Sequence, residues 1–244
     1  MIGNKETIAI GWCDNGTTDG KFTEGIASIL LAGQSMGLPV SRTLRVQGNQ
    51  IARQRQVLID NWYDSLKTDW LMWVDSDIVL TNDIWLKICS SVDKNTKPMV
   101  SGVYFVAKET DGSLPVVLPC IFDDVDEYSV RYHHPLPTDT LMKVDSAGMG
   151  LVMMHRSVVT KLRAKYGEDA PLFGENNMIG EKFIGEDIAF FRKCKEADIP
   201  LYAHTGAIAQ HIKRMAWDTD YYVQYWSMKN LKDKLKEEQS TKGE

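Results

Sequence analysis

Cysteine is scarce in this chain and scattered: Cys13, Cys89, Cys120 and Cys194, with no Cys-x-x-Cys pair among them. That spacing excludes a disulfide scaffold and a cysteine zinc site, and suits buried thiols in a reducing compartment. Long apolar runs are missing too. No window nears the roughly 18 consecutive apolar residues of a membrane span. The opening MIGNKET has no apolar stretch of the secretory kind. Positive charge is not in excess: 28 Lys and Arg stand against 33 Asp and Glu, for a net charge of −5 and a pI of about 5.6. A broad cationic face for nucleic acid and a polybasic membrane anchor are thereby excluded. What is present is the balance of a soluble globular protein, 43% hydrophobic and 25% charged over 244 residues. Such a chain can bury a full core as one α/β domain with an appendage. The expectation is a cytoplasmic protein.

Apolar runs and turn residues organise the chain. Thr7–Cys13 (TIAIGWC) reads as a first strand, closed by the turn cluster DNGTTDG. Phe22–Met36 and Gln50–Lys67 have helical patterns. Trp70–Val74 (WLMWV) is apolar throughout, as a central strand buried on both faces should be. Further strands are expected at Met99–Val106, Val116–Ile121 and Gly150–His155, and helices at Asn82–Val92, Ser157–Tyr166 and Glu186–Ala197. Leu201–Ile212 could supply one or two short strands. The alternation argues a mostly parallel sheet flanked by helices. Asp218–Lys236 reads as a long C-terminal helix before the solvated tail EEQSTKGE. Its aromatics Trp217, Tyr221 and Tyr225, with Tyr222 and Trp226, form a packing face or an acceptor or oligomer contact.

Chemistry in open α/β sheets collects at the carboxyl ends of strands. Asp75 and Asp77 stand at such an end, two residues apart, so an extended chain points them the same way. Two carboxylates in one small space repel unless a cation joins them. Mn²⁺ or Mg²⁺ is the natural third party. The alternative is a solvated turn capping the next helix. On the preceding helix, Arg55 falls within the apolar arc of Ala52, Leu58, Ile59, Trp62, Tyr63 and Leu66, whereas Arg53 lies opposite. A buried arginine needs a partner. Gly148 and Gly150 precede an apolar strand, either as a tight turn or as a close backbone approach. Glu186 and Asp187 open a helix, where acidic groups offset the dipole.

Four stations in order give the chain a resemblance to the GT-A glycosyltransferases, and most of all to short members encoded by bacteriophages and other viruses. They are Ile51–Ile59 (IARQRQVLI), WLMWVDSDIVL, Val144–Arg156 (VDSAGMGLVMMHR) and Gly185–Ile199 (GEDIAFFRKCKEADI), with His211 following in a strand-like segment. The chain departs from the pattern at Gln56, where many relatives carry Asn. The resemblance implies a Rossmann-type catalytic domain over residues 1–215, with a nucleotide-binding half to about residue 80 and an acceptor half beyond. Residues 216–244 would then form a C-terminal helix and flexible tail. It implies Mn²⁺ or Mg²⁺ held by Asp77, His211 and Asp75, and a nucleotide pocket of Trp12, Asp14, Arg55 and Asp75. It places the Gly148 loop beside the transferred sugar, and Asp187, next to Glu186, as the base for an acceptor hydroxyl. The partners implied are a nucleoside-diphosphate sugar, UDP-sugar foremost, and a glycan or small hydroxyl acceptor. For a phage-encoded member the compartment would be the host cytoplasm.

Other assignments stay open at this level. His204 is a weaker ligand candidate than His211, and His155 reads as structural. His133 and His134 read as loop surface. Lys213 and Arg214 could offset diphosphate charge, or be simply solvated. An Asp-x-Asp phosphatase would use Asp75 as nucleophile with Lys182 or Lys193, though in that class the strand normally lies near the N-terminus. A nucleotidyltransferase would want a more glycine-rich, basic loop than DNGTTDGKF. A sugar-nucleotide binding protein with a degenerate catalytic site is the non-enzymatic alternative.

Overall fold

A computed structural model of the chain describes residues 2–3, 5–108, 115–174, 178–179, 182–214 and 219–241. Its strands begin with β1 (Ile8–Asp14), β2 (Val40–Gln47), β3 (Trp70–Val74), β4 (Ile78–Val79), β5 (Met99–Val103), β6 (Phe105–Lys108), β7 (Val116–Pro119) and β8 (Ile121–Asp124). They continue with β9 (Val130–Tyr132), β10 (Leu141–Val144), β11 (Ser146–Ala147), β12 (Leu151–His155), β13 (Met178–Ile179), β14 (Lys182–Phe183), β15 (Leu201–Ile208) and β16 (Gln210–His211). The helices are α1 (Gly20–Ala32), α2 (Ile51–Asp60), α3 (Asn82–Ser91), α4 (Ser157–Tyr166), α5 (Glu186–Glu196) and α6 (Thr219–Thr241). A π-helical stretch, Asn61–Leu66, continues α2.

Seven strands form the central sheet in the order β10-β15-β5-β12-β3-β1-β2. β1, β2, β3, β5 and β15 run one way, and β12 and β10 run the other. The run WLMWV is apolar at every position because β3 sits between β12 and β1, with helices over both faces. Alternate residues divide between two cores. Leu71 and Trp73 pack with Leu58 and Trp62 of the α2 region, Leu162 of α4 and Phe190 of α5. Trp70, Met72 and Val74 pack with Ile26 and Ile29 of α1 and Trp85 of α3. Because β1 lies between β2 and β3, the chain leaves it to one side and returns on the other. The carboxyl ends of β1 and β3 are therefore a topological switch point, where open α/β sheets place their ligands.

β2 was not expected from the sequence. It is an edge strand, and Arg42, Thr43 and Arg45 are exposed, so it lacks the apolar run that marks an inner strand. Met99–Val106 divides into β5 and β6 around Tyr104.

The chain divides into two compact units, Met1–Val106 with Leu118–Ile212, and Ala107–Val117 with Lys213–Glu244. The second contains α6, which runs to Thr241 and so takes in residues expected as tail. On it, Tyr222, Tyr225 and Trp226 are exposed, and each tyrosine meets Trp226 edge to face. Trp217 and residues 242–244 lie outside the described residues. No described helix is long and apolar enough to cross a membrane.

Candidate active site at the ends of β3 and β16

The Asp-x-Asp segment is a turn and not an extended strand end. β3 stops at Val74, and the Ile78 N–H donates to the Asp75 carbonyl at 2.9 Å. The extended backbone expected for the pair is thus replaced by a turn, and each carboxylate has its own partner. Asp75 accepts from Arg55 Nη2 at 3.2 Å on each oxygen. Asp77 lies with its Oδ2 3.2 Å from His211 Nε2. The second contact is built by the backbone, since β16 pairs antiparallel with β4, His211 opposite Ile78, and Ile212 N–H donates to the Asp77 carbonyl.

Arg55 is the hub of the other half. It is 4% exposed, and its Nη1 donates to Glu186 at the start of α5. Burial pulls its pKa down, but the charges of Asp75, Glu186 and Asp187 outweigh that and hold it above its ordinary value. Its Nε is buried and has no hydrogen-bond partner among the described residues. Asp187 Oδ1 accepts from the Ile188 N–H at 2.8 Å. Burial pushes the Asp187 carboxyl up to about 6; Arg55 opposes the rise, and Glu186 and Asp75 add to it.

Tyr104, just past β5, joins the two halves, and the sequence reading missed it. It is 5% exposed; its hydroxyl accepts from the Gly150 N–H at 3.3 Å, and its ring meets His211 edge to face at 5.0 Å. The available signal was a polar-tipped aromatic at the carboxyl end of a strand with no charged residue, Met99–Val103. Gly148 and Gly150 are close approaches. A Cβ on Gly148 would come 2.0 Å from the Tyr104 hydroxyl and 2.5 Å from Cys120 Sγ, and one on Gly150 would come 2.7 Å from Asp75 Oδ2.

The structure thus brings together Arg55, Asp75, Gly148, Glu186 and Asp187 through direct or linked contacts, and Asp77 with His211. Trp12 and Asp14 form a separate group at the end of β1, where Trp12 Nε1 donates to Asp14 Oδ2 at 3.1 Å. His155 packs against Trp70, and burial lowers its pKa. His204 Nδ1 accepts from the Gly206 N–H. His133 is only partly exposed, with Nε2 3.0 Å from Asp123. Lys193 Nζ donates to the carbonyls of Pro171 and Leu172. Lys213 and Arg214 fall in the second unit.

Among the described residues no three His, Cys, Asp or Glu side chains gather as a group that could hold a metal ion. Asp77 and His211 form a pair, and its chemistry fits a divalent cation. His211 Nδ1 lies 2.8 Å from the Phe105 carbonyl, which can only accept, so Nδ1 carries the hydrogen. Nε2 then faces a carboxylate either as an imidazolium N–H or with a bare lone pair. The bare lone pair is favourable there only with a cation between the two groups. A backbone carbonyl fixing the tautomer of a ligating histidine is the usual outer support of a metal site.

No protein-family model matches the chain, and no curated protein matches it in sequence. Among solved structures it is similar to A197 from STIV, at 17% identity over 85% of this chain and 86% of that one, with a TM-score of 0.51. It is also similar to GalNAc-T7, solved with UDP, GalNAc and Mn²⁺, at 11% identity and a TM-score of 0.56. That match covers 89% of this chain and 47% of GalNAc-T7, so the chain spans about half the length of that protein. At such identities the likeness is one of fold, and the fold of this chain is GT-A-like.

Proposed function

We propose that the chain is a metal-dependent glycosyltransferase that moves a sugar from a nucleoside-diphosphate sugar, with UDP the favoured carrier, to an acceptor hydroxyl. The observation that carries this reading is the Asp77–His211 pair, with the histidine tautomer fixed by Phe105, at the switch point of a GT-A-like sheet. The fold neighbour solved with UDP, GalNAc and Mn²⁺ supports it by likeness. Asp77 and His211 would hold Mn²⁺ or Mg²⁺, whose Lewis acidity stabilises charge on the leaving diphosphate. A pair suffices for an ion that takes further oxygen ligands from its substrate.

The remaining roles fall to the first unit's own side chains, with residues to about 80 on the nucleotide side and the later ones on the acceptor side. Arg55 fixes Asp75 and Glu186, and Asp75 borders the nucleotide pocket with Trp12. The loop through Gly148 and Gly150 shapes the donor-sugar side. Asp187 takes the proton of the acceptor hydroxyl, a task suited to a carboxylate whose pKa has been raised toward neutrality. The acceptor oxygen bonds to the anomeric carbon as the bond to the diphosphate oxygen breaks. The leaving diphosphate takes the electron pair, and the configuration inverts.

Calorimetric titration of UDP with Mn²⁺ or with EDTA, on wild type and Asp77→Ala, tests the site. Binding should require both Mn²⁺ and Asp77. Metal-independent binding that Asp77→Ala leaves intact would sink the role given to the pair. Turnover of UDP-sugars then separates a transferase from a binding protein.

A further inference from the structure

The end of β1 holds a charged arrangement that the proposed reaction does not use. The Asp14 side chain is fully buried, and both its oxygens are engaged. Oδ1 accepts from the Gly16 N–H at 2.8 Å and from Arg45 Nη2 at 2.7 Å. Oδ2 accepts from Trp12 Nε1 at 3.1 Å and from Arg45 Nε at 2.6 Å. With four donors on it, Asp14 has little acceptor capacity left for a ligand. Its effect is to clamp Arg45 through a two-pronged pair, the geometry that fixes a guanidinium in direction as well as place.

Arg45 is the exposed member. Its side chain is 44% accessible, and Nη1 has no hydrogen-bond partner among the described residues. It lies opposite Trp12 in the β1–β2 register, two residues short of Asp14. The platform beneath is fixed as well: Gln54 Nε2, from α2, donates to the carbonyls of Asp14 and Val46, tying both strand ends to the helix.

We propose that Arg45 is the residue that selects the nucleotide base. Its outward N–H donates to the exocyclic keto oxygen that uracil and guanine carry where cytosine and adenine carry an amino group. The inference rests on the reading of Asp77 and His211 as the diphosphate site. β2 lies two strand spacings from β3, roughly 10 Å at about 4.8 Å each. A nucleotide with its diphosphate beside Asp77 reaches that far with its base and not with its phosphates. An amino group at the same edge would set donor against donor.

The test is titration of UDP, GDP, CDP and ADP, each with Mn²⁺, into wild type, Arg45→Met and the double variant Asp14→Asn, Arg45→Met. The double variant leaves no buried aspartate without its partner, so it covers the case in which the single one fails to fold. Wild type should bind UDP about tenfold or more tighter than CDP, the scale of one well-placed base contact. Removing Arg45 should bring that ratio close to one while the Mn²⁺ requirement persists. A preference that survives in the double variant overturns the assignment, as does a wild type that binds UDP and CDP alike. Both outcomes leave the metal–diphosphate reading standing. Absence of Mn²⁺-dependent binding for all four nucleotides in wild type overturns both.

Discussion

An alanine at position 150 would put its Cβ 2.7 Å from Asp75 Oδ2. The Asp75 side chain is 30% accessible and can turn aside, at the expense of its contact with Arg55. Gly150→Ala should therefore keep the fold and lower sugar transfer by at least about tenfold, as loss of one positioned group does. Gly148→Ala has no such escape, because the atoms in its way belong to buried Tyr104 and Cys120. Urea denaturation should show a loss of about 1–3 kcal/mol, the usual range for overpacking. Asp187 adds a pH signature. Its folded pKa, about 6, lies above the ordinary carboxylate value of 3.8, so between those values the folded state binds more protons than the unfolded one. Its effect is thus to lower stability as pH rises through that window. Transfer should change the opposite way, with kcat/KM climbing to a plateau above about pH 6 as the base loses its proton. Asp187→Asn should abolish transfer and flatten this part of the stability profile. A kcat/KM that falls across the same range would refute the assignment of the base.

At the scale of elements, the departure from the family pattern at Gln56 has a structural counterpart. Gln56 Oε1 accepts from the backbone N–H groups of Leu172 and Phe173 at 2.7 and 2.9 Å, and its Nε2 donates to Asp60. It staples α2 to the segment that carries Phe173 onto Phe190 of α5. Gln56→Ala would leave two backbone donors of buried residues without an acceptor, at about 1–3 kcal/mol each. A shift of the urea midpoint with little change in its slope would mark that loss. Elements whose pattern comes from burial were the legible ones. β3 and α4 stand at their expected residues, since a central strand is apolar throughout and an amphipathic helix carries its period in sequence. β2 was illegible for the converse reason: the edge strand's outward arginines hide its period of two. A short strand is expected within Leu201–Ile212, but its pairing as β16 with β4, like that of β8 with β11, was invisible, because the partners lie far apart in the chain.

For the whole molecule, the candidate site depends on which distant segments meet. Arg55 of α2, Asp75 after β3 and Glu186 of α5 were each nameable from the sequence, because burial of a cation or a helix-start acid leaves a local sign. That one guanidinium joins both carboxylates, across 131 residues in the case of Glu186, is a property of packing alone. The turn that separates Asp75 from Asp77 and the place of Tyr104 are likewise tertiary facts. A site assembled this way can be read through global stability. A ligand that binds only the folded chain stabilises it by about 2.7 kcal/mol at one hundred times its Kd. For a chain of this size each kcal/mol raises Tm by roughly 2–4 °C. UDP and Mn²⁺ together at that excess should then raise Tm by roughly 5–11 °C in wild type. His211→Ala and Asp77→Ala should lose most of the rise. Tyr104→Phe keeps the ring against His211 but removes the acceptor of the Gly150 N–H, so it should keep the metal-dependent rise while lowering transfer. A Tm that rises equally with UDP in EDTA, or in Asp77→Ala, would mean that the nucleotide binds without the Asp77–His211 pair and that the site lies elsewhere on the sheet.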